Sequence, residues 1–133
     1  MPATYAINTA ATFATAMLMA CQPKLAFGTQ DQDRTAAGLP KWEAQVAVTY
    51  VAEPGMRAVS EVIAVTIAAE TDPAAGVPVP CLVEFTDLRM GVSTAEARQD
   101  DRGGARVRGG RPWFQASSIR QAHAQGRKAE QAA

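Results

Sequence analysis

Apolar and polar residues alternate most regularly over residues 41–51. Trp42, Ala44, Val46, Val48 and Tyr50 fall on one face, and Glu43, Gln45 and Thr49 on the other. A period of two predicts a strand with one buried face. Glu53-Pro54-Gly55 supplies a turn. The alternation then resumes over residues 59–68 with Val59, Glu61, Ile63, Val65 and Ile67. The β-branched density predicts a second strand, the hairpin partner of the first. Further strands are predicted over 79–88 and 111–119. In the last, Trp113, Gln115, Ser117 and Ile119 alternate against Phe114, Ala116 and Ser118.

Elsewhere the pattern is weaker. Over residues 12–19, Thr12, Phe13 and Thr15 favour a strand and the alanines favour a helix; a strand is predicted. Residues 24–27 form a second, short strand candidate. Residues 28–40 and 71–80 read as loops, rich in Gly, Asp and Pro. Residues 93–99 read as a helical turn capped by Ser93 or Thr94. Residues 1–12 are a loose arm or the start of a strand. About five to seven short strands predict a mostly-β fold: a small antiparallel barrel or sandwich, with a five-stranded barrel of the oligonucleotide-binding kind as the natural small version. One β-rich domain is expected over 1–120, and a polar, frayed or disordered tail over 121–133.

Charge changes this picture. The chain has 133 residues and zero net charge, but residues 1–94 carry five Lys/Arg against nine Asp/Glu, and residues 95–133 carry eight against four. The C-terminal part is therefore a basic arm on an acidic body, which points to an anionic partner or to a solvated tail. Arg102, Arg106, Arg108 and Arg111, spaced by glycines in a flexible basic loop, are suited to a phosphate backbone. Arg grips phosphate with two parallel donors and stacks on bases. Trp113 and Phe114 follow at once. On neighbouring strand positions they face opposite ways, so one is expected in the core and the other at the surface. An exposed ring beside arginines is the platform on which single-strand binders stack bases.

Other chemistry is absent from the sequence. The one histidine, His123, lies in the tail, so no Ser-His or Cys-His pair has a folded context. Gly103-Gly104 and Gly109-Gly110 are not followed by the Lys-Ser/Thr of a phosphate loop. Asp31-Gln32-Asp33 lacks the Gly and distal Glu of a calcium loop. Cys21 and Cys81 match no metal spacing and are expected as free, buried thiols in a reducing, cytoplasmic setting. Leu18-Met19-Ala20-Cys21 looks like a lipoprotein cleavage box, but the first cation is Lys24, so no positive start precedes the apolar stretch. No run reaches the roughly 18 apolar residues of a membrane span. No enzyme, cofactor or metal site is expected.

Four segments, taken in order, carry a resemblance. They are Asp31-Gln32-Asp33 with Gly38-Leu39-Pro40-Lys41-Trp42; Val46-Ala47-Val48; Val83-Glu84-Phe85-Thr86-Asp87-Leu88; and Trp113-Phe114-Gln115-Ala116-Ser117-Ser118-Ile119-Arg120. Their order and spacing resemble the plasmid replication, integration and excision activators of actinobacterial integrative and conjugative plasmids, over roughly residues 24–120. That family shows a "DKD…GLPLW" stretch, an alternating strand, a "V.F..L" strand and a closing "FRAS" strand. Lys41 stands where the family is apolar, and Gln115 where it carries Arg.

The resemblance implies a non-enzymatic accessory protein of a mobile genetic element, acting in replication, integration/excision or transfer. Joined to the arginine and aromatic cluster, it leads to nucleic-acid binding, single strands favoured, through Arg102, Arg106, Arg108, Arg111, Trp113, Phe114 and Arg120. The alternative is a protein-interaction module, as a homodimer or with a replication or recombination protein, because dedicated DNA binders carry a basic excess that this chain lacks.

Overall fold

A computed structural model describes residues 4–93, 96–99, 104–108 and 110–122. Among them the chain forms β1 (Thr4–Ala6), a helical turn α1 (Thr9–Thr12), β2 (Phe13–Pro23), β3 (Lys41–Tyr50), β4 (Ser60–Ala68), β5 (Cys81–Thr86), β6 (Arg89–Val92), β7 (Glu96–Gln99), β8 (Ala105–Arg108), β9 (Pro112–Ala116) and β10 (Ser118–Gln121). The ambiguity over residues 12–19 is resolved by division. Asn8 caps a turn, its side chain accepting from the Ala11 N–H at 3.1 Å, and the strand begins directly afterwards at Phe13.

Strands β2, β3 and β4 form an antiparallel meander. Its inward positions carry Leu18, Ala44, Val46, Val48, Ile63, Val65 and Ile67, all buried. Burying each of the larger side chains contributes about 1.5–3 kcal/mol. β2 slips register after Phe13 and again after Leu18. These bulges bend the strand and let the sheet curl.

The remaining long strands are two halves of one bent hairpin. β6 pairs with β9 from Arg89↔Gln115 to Val92↔Pro112, and β5 pairs with β10 from Thr86↔Ser118 to Val83↔Gln121. Partner numbers add to the same constant in both halves, so one register passes through the corner. At the corner Asp87 adopts φ 53°, a conformation that Asp tolerates better than most residues. The Ser117 N–H donates to Thr86 O at 2.9 Å, the Ile7 N–H to Leu88 O at 3.0 Å, and Arg89 pairs with Asp87 at 3.3 Å.

The bend sends the two halves to opposite sides of the meander. β5 pairs with β2 at Met17↔Leu82 and Leu18↔Cys81, while β9 pairs in parallel with β4. The hydrogen-bonded order is β1-β6-β9-β4-β3-β2-β5-β10, an open eight-stranded sheet. With each bent strand counted once, the neighbours run β2, β3, β4, β9/β10, β5/β6 and back to β2. The arrangement is an open, barrel-like curl around a core that also takes in Phe13, Val83, Leu88, Ala116 and Ile119. The expected mostly-β fold is observed, with one parallel pairing inside it.

Several local expectations are corrected. Residues 24–27 make only a single bridge, Leu25↔Gln32. Of the helical turn expected over 93–99, residues 96–99 instead form strand β7, because pairing with β8 outweighs a weak local preference, and residues 94 and 95 lie outside the described residues. The basic segment contains a two-stranded ribbon rather than loop alone. The strand expected over 111–119 is broken at Ser117, so buried Ala116 and Ile119 stand three apart instead of two. Of the expected tail, Gln121 belongs to β10 and the Ala122 N–H bonds to Leu82 O at 2.9 Å; residues 123–133 lie outside the described residues. Among the described residues no helix is long and apolar enough to cross a membrane.

Tyr50 closes one end of the inner face. Its ring lies 5.6 Å from that of Phe13, and its hydroxyl bonds to the Glu61 carboxylate. Burial first, and Glu61 second, push its phenol from 10.0 up to about 12. The folded chain therefore holds this proton more tightly than the unfolded chain does. The stability gained is complete below about pH 10 and is lost as pH rises toward about 12. Ultraviolet titration of the folded protein should show a late phenolate step that Tyr50→Phe removes. A Tyr50 that ionises near pH 10 in the folded state contradicts the contact.

Candidate nucleic-acid interface

The parallel register of β9 on β4 decides which way its aromatic residues face. Phe114 lies opposite Val65 and Ala116 opposite Ile67, both buried partners, and Gln115 lies opposite Thr66. Phe114 therefore belongs to the inner side, where it packs against the core. Trp113 belongs to the outer side, half-buried. It stands directly across from Gly91, and a Cβ at Gly91 would land inside its indole ring. A glycine opposite a large ring lets the ring lie flat on the neighbouring strand.

Trp113 forms one wall of a groove of about 550 Å³ on the outer face. Lys24 and Lys41 line it from the β2–β3 side, Thr66 and Gln115 form its floor, and Arg89 lies beside Trp113. The Lys24 ammonium donates to Thr66 Oγ1 at 3.5 Å. Lys41 pairs with Asp33 at 3.4 Å, and Arg89 with Asp87. These pairs are solvent-accessible, so each contributes only about 0–1 kcal/mol and can be exchanged for another anion. The groove thus combines a ring, three cations and amide and hydroxyl donors.

The arginine cluster is partly brought to this site. Val92 pairs with Pro112, and Ser93 and Arg111 then close a base through backbone and side-chain bonds: Ser93 N–H to Arg111 O at 3.0 Å and Arg111 N–H to Ser93 Oγ at 3.2 Å. From this base rises the β7–β8 ribbon, which carries Arg106 opposite Arg98 and Arg108 opposite Glu96. Arg111 is exposed, two residues from Trp113. Arg102 lies outside the described residues. Arg120 is not part of the group. It sits on the β10 half of the bent strand, opposite Glu84, which accepts from its guanidinium at 3.1 Å.

The sequence reading missed Lys24, Lys41 and Arg89, which lie far apart along the chain. Lys41 had left a trace as a cation at a position where the resembled family is apolar. It also missed Phe27, fully exposed on a turn over residues 26–29. Gly28 at φ 75° occupies the position of that turn where a left-handed residue is needed. Among the described residues no group of three His, Cys, Asp or Glu is placed to hold a metal ion. Cys21 and Cys81 are free. Burial and then Asp72 push the Cys21 thiol up to about 12, which leaves a protonated, weak nucleophile at neutral pH.

Comparison of the chain with protein families, curated proteins and solved structures returns no match.

The Gly91–Trp113 contact sets a sharp test. Gly91→Ala must displace the indole, which should cost about 1–3 kcal/mol and shift tryptophan emission to the red. An unchanged denaturation midpoint with unchanged emission contradicts the packing described.

Proposed function

We propose that the protein is a non-enzymatic nucleic-acid-binding accessory protein of a mobile genetic element. It holds single strands on the outer face between Trp113 and the arginine ribbon, in the cytoplasm. The observation that carries this reading is convergence. One face brings together a half-exposed indole, Lys24, Lys41 and Arg89, and the base of a basic ribbon.

The strand order adds support. In small oligonucleotide-binding barrels the ligand lies on the second and third strands, between the loop joining strands one and two and the loop joining strands four and five. With the bent strands counted once, those loops are residues 24–40 and 93–111 here. They are the loops that contribute Lys24 and the ribbon. Fold analogy alone does not assign function; the chemistry of the face is what gives it weight. The resemblance to plasmid replication, integration and excision activators supplies the biological setting.

Fluorescence anisotropy with labelled oligo(dT) and a duplex of equal length tests the proposal. Binding should favour the single strand and weaken roughly tenfold or more between about 50 and 200 mM salt. Trp113→Ala should cost roughly 1–3 kcal/mol, and the triple change of Arg106, Arg108 and Arg111 to Ala should remove most of the affinity. Full affinity in both variants removes the site from consideration.

A second reading rests on a different face. Leu82, Met17, Ala47 and Val62 lie in one cross-strand row over β5, β2, β3 and β4, outward from the core, with Val62 and Met17 exposed. The flanking outward positions on β2, β3 and β4 hold Thr15, Thr49, Ser60, Gln45 and Ala64, without charge, while on β5 the flanking Glu84 is paired with Arg120 at 3.1 Å. Such a strip suits a protein partner of the replication or recombination machinery. Val62→Lys should abolish capture of the element's replication proteins and leave oligonucleotide affinity intact. Capture that survives the charge removes this face as the contact.

A further inference from the structure

A polar row runs across the outer face beside the indole of Trp113. On β9, Gln115 stands two residues from Trp113 and on the same face, about 7 Å along the strand. Register places Thr66 of β4 on one side of Gln115 and Arg89 of β6 on the other. Strands lie only about 4.8 Å apart, and Gln and Arg are long enough to converge on one ligand. Thr66, Gln115, Arg89 and Trp113 all line the same groove. The row continues on β3 with Glu43, opposite Thr66, but Glu43 does not line the groove.

Each member of the row has its own hydrogen-bonding sense. The Lys24 ammonium donates to Thr66 Oγ1 at 3.5 Å, so the Thr66 hydroxyl keeps its own proton to offer. Arg89 is a donor only. Asp87 Oδ1 holds its Nε at 3.3 Å, and the guanidinium has more N–H groups than that contact uses. The other Asp87 oxygen accepts from Ser117 Oγ at 3.4 Å. Gln115 is exposed between the two donors and carries both a carbonyl and an NH2. Turning its carbonyl outward gives the row the order donor, acceptor, donor.

Thymine and uracil present the complement of that order. Their Watson–Crick edge reads acceptor, donor, acceptor along O2, N3–H and O4. Cytosine has a bare nitrogen in place of N3–H and an amine in place of O4. Adenine also carries an amine there, and guanine sets two donors side by side. In a single strand these edges are unpaired and open to side chains. We infer that Thr66, Gln115 and Arg89 read the edge of a thymine or uracil held against Trp113. This rests on the nucleic-acid reading above and deepens it by naming the base. Gln115 is the deciding residue, because an amide matches either an N–H beside a carbonyl or an amine beside a bare nitrogen, and only its donor neighbours select the first.

Labelled oligo(dU) and oligo(dC) of equal length, titrated with the full-length protein at neutral pH, test the assignment. The two share backbone and ring size and differ only at the edge in question. Wild type should bind oligo(dU) roughly tenfold more tightly, the discrimination of one good two-point base contact. Gln115→Leu keeps the bulk of the side chain without its amide and should bring the ratio close to one. Either oligonucleotide should still quench tryptophan emission in that variant, which shows that it folds and holds a strand. Arg89→Met should weaken binding to both and narrow the ratio as well, because it removes a cation and a base donor together. Equal affinities in the wild type, or a preference for oligo(dC), overturn the base reading and leave the stacking site standing. A ratio that survives Gln115→Leu overturns it too. A wild-type protein that binds neither oligonucleotide overturns the nucleic-acid reading itself.

Discussion

One register, running through the corner at Asp87 and Ser117, governs the rest of the structure. It joins β5 to β6 and β9 to β10 without a slip and turns the hairpin through the bend. The same hairpin thereby reaches β2 with one half and β4 with the other. Without the corner the apolar face of the three-stranded meander would be left uncovered. With it, Leu88, Ala116 and Ile119 are carried over that face, and the core closes. The left-handed Asp87 and the tightly bonded Ser117 N–H are the local features that make the turn possible.

The same constraint creates the outer face. Because β9 lies parallel to β4 in a fixed register, Phe114 is committed to the inner side against the core and Trp113 to the outer side, where it is half-buried. Gly91 then gives the indole a surface to lie on. The electrostatics of the face follow from its neighbours. Lys41 and Arg89 are matched to Asp33 and Asp87, so the groove itself is only mildly positive. The stronger positive charge sits on the ribbon. A ligand that needs both a stacking ring and a charged rail meets them in adjacent elements.

The sequence makes part of this legible. The period of two over residues 41–50 and 60–68 is visible because each strand has one buried and one open face. The fate of Trp113 and Phe114, one ring inside and one outside, follows from their adjacency. Which ring goes where does not, since it is set by pairing with Val65 and Ile67 nearly fifty residues away. Strand β7 was hidden because its four residues carry only a weak helical preference, which pairing with β8 outweighs. The groove cations escaped for the same reason: Lys24, Lys41 and Arg89 meet only through the fold. Arg120 looked like part of the cluster by sequence proximity. The corner at Ser117 separates it and gives it Glu84 instead.

The most direct test uses the two tryptophans. Trp42 donates its indole N–H to Ala69 O at 2.9 Å and does not line the groove, so Trp42→Phe leaves Trp113 as the only tryptophan. Adding unlabelled oligo(dT) to that variant should quench the emission of Trp113, and added salt should restore it as the strand is released. Emission that stays constant while anisotropy reports a bound strand would show that nucleic acid is held elsewhere, and would contradict the account of this face.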